Sequence, residues 1–136
     1  MIVLSVDYGD TRTGLAVCDK LEMLASPVGV INEKYEPHVL EKVAFEAEKN
    51  KAELIVVGLP RNMDGSFGPR AEKCTQFGKK LEELSGIRTV MFDERLTTVS
   101  AHRALNDVNV RGKKRKEIVD AVSAVMILED FLKTRR

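Results

Sequence analysis

Apolar positions along this chain follow two rhythms. Short runs at residues 2–7, 13–18, 23–31, 54–57 and 87–93 read as β-strands, whereas apolar residues three and four apart read as helices. The tight Tyr8-Gly9-Asp10-Thr11-Arg12 connection predicts a hairpin between the first two strands, and Asp19-Lys20 turns the second into the third. Pro27 cannot donate to a ladder, so the third strand is expected at a sheet edge. Pro37 opens a helix with the stripe Leu40, Val43, Ala44 and Ala47. Leu54-Ile55-Val56-Val57 is apolar without a break up to Gly58, the pattern of a strand covered on both faces. Ala71, Cys74, Phe77, Gly78, Leu81 and Leu84 mark a second helix that Gly86 closes. Thr97 or Thr98 caps a short helix reaching about Leu105, and residues 116–133 form the last helix, apolar almost all round from Ile118 to Leu132.

The resulting order, β-β-β-α-β-α-β-α-α, predicts an α/β fold: a five-stranded mixed sheet with helices on both faces. Strands one, four and five are expected to be parallel, with the first strand central. In such sheets ligands collect at the carboxyl ends of the strands. The 136 residues contain no repeat, low-complexity segment or long linker, so residues 1–136 are read as a single domain.

Three carboxylates interrupt this apolar pattern. Asp7 ends the first strand, Glu94 follows the fifth, and Asp120 stands in the last helix beside the small residues Ala121, Ser123 and Ala124. An ionised carboxylate in apolar surroundings costs several kcal/mol unless it is compensated. Three that converge would be reconciled by a hard divalent cation. Asp93 competes with Glu94, because alternation lets only one of them face a given side. Glu94 is preferred since Leu96 and the threonines turn the chain just after it, although spacing alone leaves the choice open. Plainer roles exist for each: Asp7 as a turn cap, Glu94 as a rim charge, and Asp120 as a first-turn acid complementing the helix dipole.

Charge adds a second theme. The net charge is +1, but residues 1–100 carry 13 Lys and Arg against 16 Asp and Glu, while residues 101–136 carry 9 against 5. The basic C-terminal quarter rests on Arg111-Gly112-Lys113-Lys114-Arg115-Lys116, read as a loop, and on the tail Lys133-Thr134-Arg135-Arg136. Such runs suit phosphate backbones, though they also occur as solvated surface. The turn-rich loop from Gly58 to Arg70 offers Arg61, Asn62 and Arg70 to a polyanion. Aromatic residues are 5% of the chain and Trp is absent, which argues against a broad base-stacking platform. Cys18 and Cys74 form no Cys-x-x-Cys pair and read as small buried hydrophobes, so zinc is not expected. His38 and His102 are isolated and read as surface or capping residues. No Gly-x-x-x-x-Gly-Lys-Ser/Thr loop occurs. With no signal peptide and no apolar run approaching a membrane span, no membrane partner is expected and the cytoplasm is the expected compartment.

Four segments taken together resemble the YqgF family, RuvX, described as Holliday junction resolvases and as pre-16S rRNA nucleases. They are Asp7-Tyr8-Gly9 with Arg12 and Gly14, Gly58-Leu59-Pro60-x-Asn62-Met63-Asp64-Gly65, Asp93-Glu94-Arg95-Leu96-Thr97-Thr98, and Asp120-x-x-x-Ala124. The resemblance spans essentially the whole chain. Ser123, where Ala is expected, and Tyr8, where the family often has a smaller or branched residue, depart from it without removing a candidate ligand.

The resemblance implies a ribonuclease H-like fold and a metal-dependent phosphodiesterase with Asp7, Glu94 and Asp120 as catalytic acids and metal ligands. In that arrangement Asp7 bridges two Mg²⁺ or Mn²⁺ ions roughly 3.5–4 Å apart, and Glu94 and Asp120 each complete one side. Arg12, Arg61, Asn62, Arg70, Arg95, Lys113, Lys114, Arg115 and Lys116 would hold the backbone of structured RNA or branched DNA without reading its sequence. The expected substrate is pre-16S rRNA, with a four-way DNA junction as the alternative. A non-catalytic nucleic-acid-binding protein is the reading from another class. An actin-like phosphate module needs a second lobe, for which 136 residues leave no room. The assembly is expected to be a monomer or a homodimer.

Overall fold

The computed structural model describes residues 1–60, 64–94 and 113–135, with residues 113–120 described by backbone alone. Its strands are β1 (Val3–Asp7), β2 (Arg12–Cys18), β3 (Ala25–Asn32), β4 (Leu54–Leu59) and β5 (Thr89–Asp93). Its helices are α1 (Glu36–Lys49), α2 (Pro69–Ser85) and α3 (Lys113–Thr134). The strands make one sheet in the order β3-β2-β1-β4-β5. β1 pairs antiparallel with β2 and parallel with β4, which in turn pairs parallel with β5. The sheet is therefore mixed, with β1 in the middle. The Pro27 strand lies at an edge, where the register shifts between Leu15 and Ala16.

Each strand alternates between two cores. Leu4, Val6, Ile55 and Val57 meet Val39, Val43, Phe77 and Leu81 of α1 and α2. On the opposite face Val3, Val56 and Phe92 meet Ala124, Ile127, Leu128 and Leu132 of α3. Fully burying one such aliphatic side chain contributes about 1.5–3 kcal/mol, so helices on both faces follow from continuously apolar strands.

Two expectations are corrected. Residues 23 and 24 do not belong to β3. The Asp19 carboxylate accepts the N–H groups of Met23 and Leu24 at 2.8 and 3.0 Å and holds them in the turn. The last helix begins at Lys113, so Lys113–Lys116 form its first turn rather than a loop. It is also one-sided: Ser123, Ala124, Ile127 and Leu128 are buried, while Val122 and Glu129 are exposed. The expected short helix from Thr97 or Thr98 to Leu105 lies outside the described residues. Cys18 and Cys74 are buried and form no disulfide, and His38 is exposed with Nδ1 2.8 Å from Glu33. Among the described residues no helix is long and apolar enough to cross a membrane.

Two anchors set the direction of α3. The Ser5 hydroxyl in β1 donates to the Ala124 carbonyl at 2.6 Å, beneath full burial. At the other end Arg135 donates to Glu22 at 2.7 Å, and Glu22 also receives the N-terminal amine at 3.1 Å. The Arg135 hydrogen bond is the first reason the Glu22 carboxyl sits below its ordinary range. Hence α3 runs against β1, and its N-terminal turns approach the end of the sheet that bears Asp7.

The Ser123 hydroxyl is buried, with no hydrogen-bond partner among the described residues. Because an unpaired buried hydroxyl carries a desolvation cost, Ser123→Ala is expected to stabilise the protein by about 1 kcal/mol. Urea denaturation checks this: an unchanged or lowered midpoint at constant slope would refute it.

Candidate active site

Asp7, Gly58 and Glu94 come from three adjacent strands and the residue that follows them. Val6 stands beside Val57 and Gly58 beside Phe92, so Asp7 and Gly58 share a level at the carboxyl ends of β1 and β4. Asp7 lies two residues after Ser5, and Glu94 two residues after Phe92. Strand alternation therefore carries both toward the α3 face and turns Asp93 away. Glu94 is 2% exposed and Asp7 is half-buried. A β-carbon built on Gly58 would stand 2.5 Å from Glu94 Oε1 and 2.7 Å from Ile127 Cδ1. The missing side chain at Gly58 is thus the space that the Glu94 carboxylate occupies as it lies across β4.

A cleft of about 170 Å³ opens there, lined by Asp7, Gly58, Glu94, Arg12 and Arg70 among others. Its rim is braced. Arg70 donates to Asp10 at 2.6 Å and also to the Tyr8 carbonyl, spanning the β1–β2 turn. The Tyr8 ring stacks on Phe77 at 4.0 Å, and its hydroxyl donates to Glu36 at 3.2 Å. Burial first, and then the Glu36 charge, push the Tyr8 phenol up to about 12, so it remains a donor. Lys80 pairs with the same Glu36 at 2.6 Å. Gly9 is required here, because a β-carbon would collide with the Arg12 backbone carbonyl.

Asp7, Glu94, Arg12 and Arg70 are thus brought to one place. Residue 120 lies one helical turn before Ala124, and so one turn nearer the Asp7 end of the sheet; its side chain is outside the described residues. Arg61, Asn62 and Arg95 also lie outside them. Lys113, Lys114, Arg115 and Lys116 are placed by backbone only, roughly 12–16 Å along the helix from Ala124, which projects them past the strand ends on the cleft side. Sequence reasoning missed the brace made by Arg70 and Tyr8, which nothing in the spacing signals.

The donor set suits a hard divalent cation, since Asp7 and Glu94 supply carboxylate oxygens to one small cleft. Among the described residues no group of three or more acidic, Cys or His side chains is assembled, so two carboxylates are what the described cleft offers.

The family model for RuvX, described as Holliday junction resolvase, matches residues 1–134. The chain belongs to the RuvX family. Among its relatives are proteins named "Putative pre-16S rRNA nuclease". That of Halothermothrix orenii is 43% identical over 132 residues, covering 97% of this chain and 94% of the relative. That of Ruminiclostridium cellulolyticum is 40% identical over 136 residues, with the same coverage. RuvC of Thermus thermophilus, solved in complex with a Holliday junction substrate, superposes with a TM-score of 0.63 at 11% identity, covering 99% of this chain and 96% of that one. The fowlpox virus Holliday junction resolvase gives 0.56 at 14% identity, with full coverage of both chains. These likenesses, together with the sheet order, bear out the ribonuclease H-like fold of this RuvX-family chain.

Proposed function

We propose that this RuvX-family chain is a metal-dependent nuclease that hydrolyses phosphodiester bonds in precursor 16S rRNA in the cytoplasm. The observation that carries the reading is that Asp7 and Glu94 line one cleft, with the Glu94 carboxylate over Gly58, and that Arg12 and Arg70 line it too. The names of its 40–43% identical relatives support the RNA substrate.

In this reading Asp7, Glu94 and Asp120 hold Mg²⁺ or Mn²⁺. When bound, such ions activate water and stabilise the leaving oxygen of an in-line displacement. The chain's own groups provide the rest. Arg12 offers a cation to the phosphate. Arg70 stays tied to Asp10 and the Tyr8 carbonyl, fixing the turn that carries Asp7. Lys113–Lys116 open α3, where positive charge opposes the helix dipole, so phosphate binding would relieve an unfavourable arrangement.

The test uses labelled precursor rRNA, single-stranded RNA and a synthetic four-way DNA junction, each with Mn²⁺ or Mg²⁺. RNA cleavage is expected, and is expected to vanish in Asp7→Asn with native circular dichroism. Equal cleavage by that variant would trace the activity to a contaminant and defeat the proposal. A second reading, junction resolution, is favoured by the description of the matching family. It requires a dimer and cleavage of the junction in preference to RNA.

Neutralising Lys113, Lys114, Arg115 and Lys116 to Gln should weaken binding for all sequences. If all four meet phosphates, the salt slope should fall by up to about 2.8 for single strands. Titrations across salt concentration check this, and an unchanged slope would return the stretch to solvated surface.

A further inference from the structure

We propose that a pocket beside the cleft receives one unstacked nucleobase of the nucleic-acid substrate. The proposal deepens the nuclease reading and rests on it. The pocket has a volume of about 530 Å³ and is walled by Phe67, Leu59 and Ala71, with Glu72, Thr75 and Gln76 at its polar side. This falls within the usual range for small-molecule sites and is ample for a base with its ribose. It adjoins the cleft: Leu59 of the pocket lies between Gly58 and Pro60, which line the cleft. On α2, Arg70 and Cys74 face the cleft, while Ala71 and Thr75, each the next residue, face the pocket. The two are walled by consecutive residues of β4 and of α2, so a strand with a phosphate in the cleft carries a neighbouring base to the pocket.

The chemistry selects the base over the phosphate. Phe67 is 53% exposed and presents an aromatic surface on which any base can stack. It is delivered by a turn in which the Asp64 carboxylate accepts the Ser66 N–H at 2.9 Å and the Ser66 hydroxyl at 2.5 Å. Glu72 repels a phosphate but accepts from the N–H groups of a base edge, and the Gln76 amide both donates and accepts. A chain poor in aromatics needs only this one, placed beside the reacting bond.

The experiment measures binding without metal, so that cleavage does not enter. 2-Aminopurine is placed at successive positions of a single-stranded RNA, and its emission and the Kd are read in EDTA. Wild-type protein is expected to quench one position strongly. Phe67→Ala should lose that quenching and raise Kd about tenfold, while Phe67→Tyr keeps both. An abasic residue at the quenched position should weaken wild-type binding to the level of Phe67→Ala, with no further loss in that variant. Unchanged Kd and quenching in Phe67→Ala would overturn the proposal, as would equal weakening on intact and abasic strands. An apolar peptide side chain as the true occupant would leave 2-aminopurine emission flat at every position, which also overturns it. Failure of the nuclease reading appears separately, as cleavage that survives Asp7→Asn.

Discussion

Glu94→Gln is expected to abolish metal-dependent cleavage while leaving the protein folded. Glu94 is 2% exposed, and the amide keeps the shape of the side chain that lies over Gly58 while shedding its charge. Cleavage is lost because the amide is a much poorer ligand for a hard cation. Loss of a group that merely supports a metal ligand typically costs 10–100-fold, so loss of the ligand charge should cost at least about 100-fold in kcat. Thermal denaturation supplies a readout independent of turnover. A cation at 100 times its Kd stabilises the folded state by about 2.7 kcal/mol, so wild-type protein should melt later in Mn²⁺ and Glu94→Gln should not. Equal stabilisation of both proteins by Mn²⁺ would remove Glu94 from the metal site.

Gly58→Ala should damage activity more than stability. The added methyl would stand 2.5 Å from Glu94 Oε1 and 2.7 Å from Ile127 Cδ1, closer than packed atoms approach. Both contacts are the far ends of flexible side chains, so they can give way. Overpacking of this kind costs about 1–3 kcal/mol. The relief comes from displacing the Glu94 carboxylate from the space over Gly58. Misplacing a reacting group by about 1 Å can cost 100-fold. The variant is therefore expected to fold, with a modest drop in urea midpoint and a loss of cleavage approaching that of Glu94→Gln. Cleavage within a few-fold of wild type would show that the carboxylate does not depend on the space over Gly58.

Much of this arrangement was readable from the chain. Apolar runs that stop at Asp7 and Asp93 reported strand ends, because a charge is costly inside a strand covered on both faces. Pro27 reported an edge because it lacks an N–H. The apolar excess of the last helix misled: Val122 is exposed, since an apolar residue need not be buried when one face of the helix already fills the contact with the sheet. The first turn of that helix was missed because four successive basic residues look like solvated loop and because the helix dipole disfavours positive charge at an N-terminus.

The sequence by itself determined the order of the described strands and helices, the central place of β1, and Asp7 and Glu94 at the carboxyl ends of β1 and β5, since hydrophobic period and chain order are local properties that survive in one dimension. Tertiary structure alone decided that Glu94 rather than Asp93 lines the cleft with Asp7, that the empty side of Gly58 makes room for it, and that Arg70 braces the Asp7 turn through Asp10 and Tyr8. Those outcomes depend on which strands lie side by side and at what level, and residues 7, 58, 70 and 94 acquire a common neighbourhood only when the sheet has closed and its helices have packed.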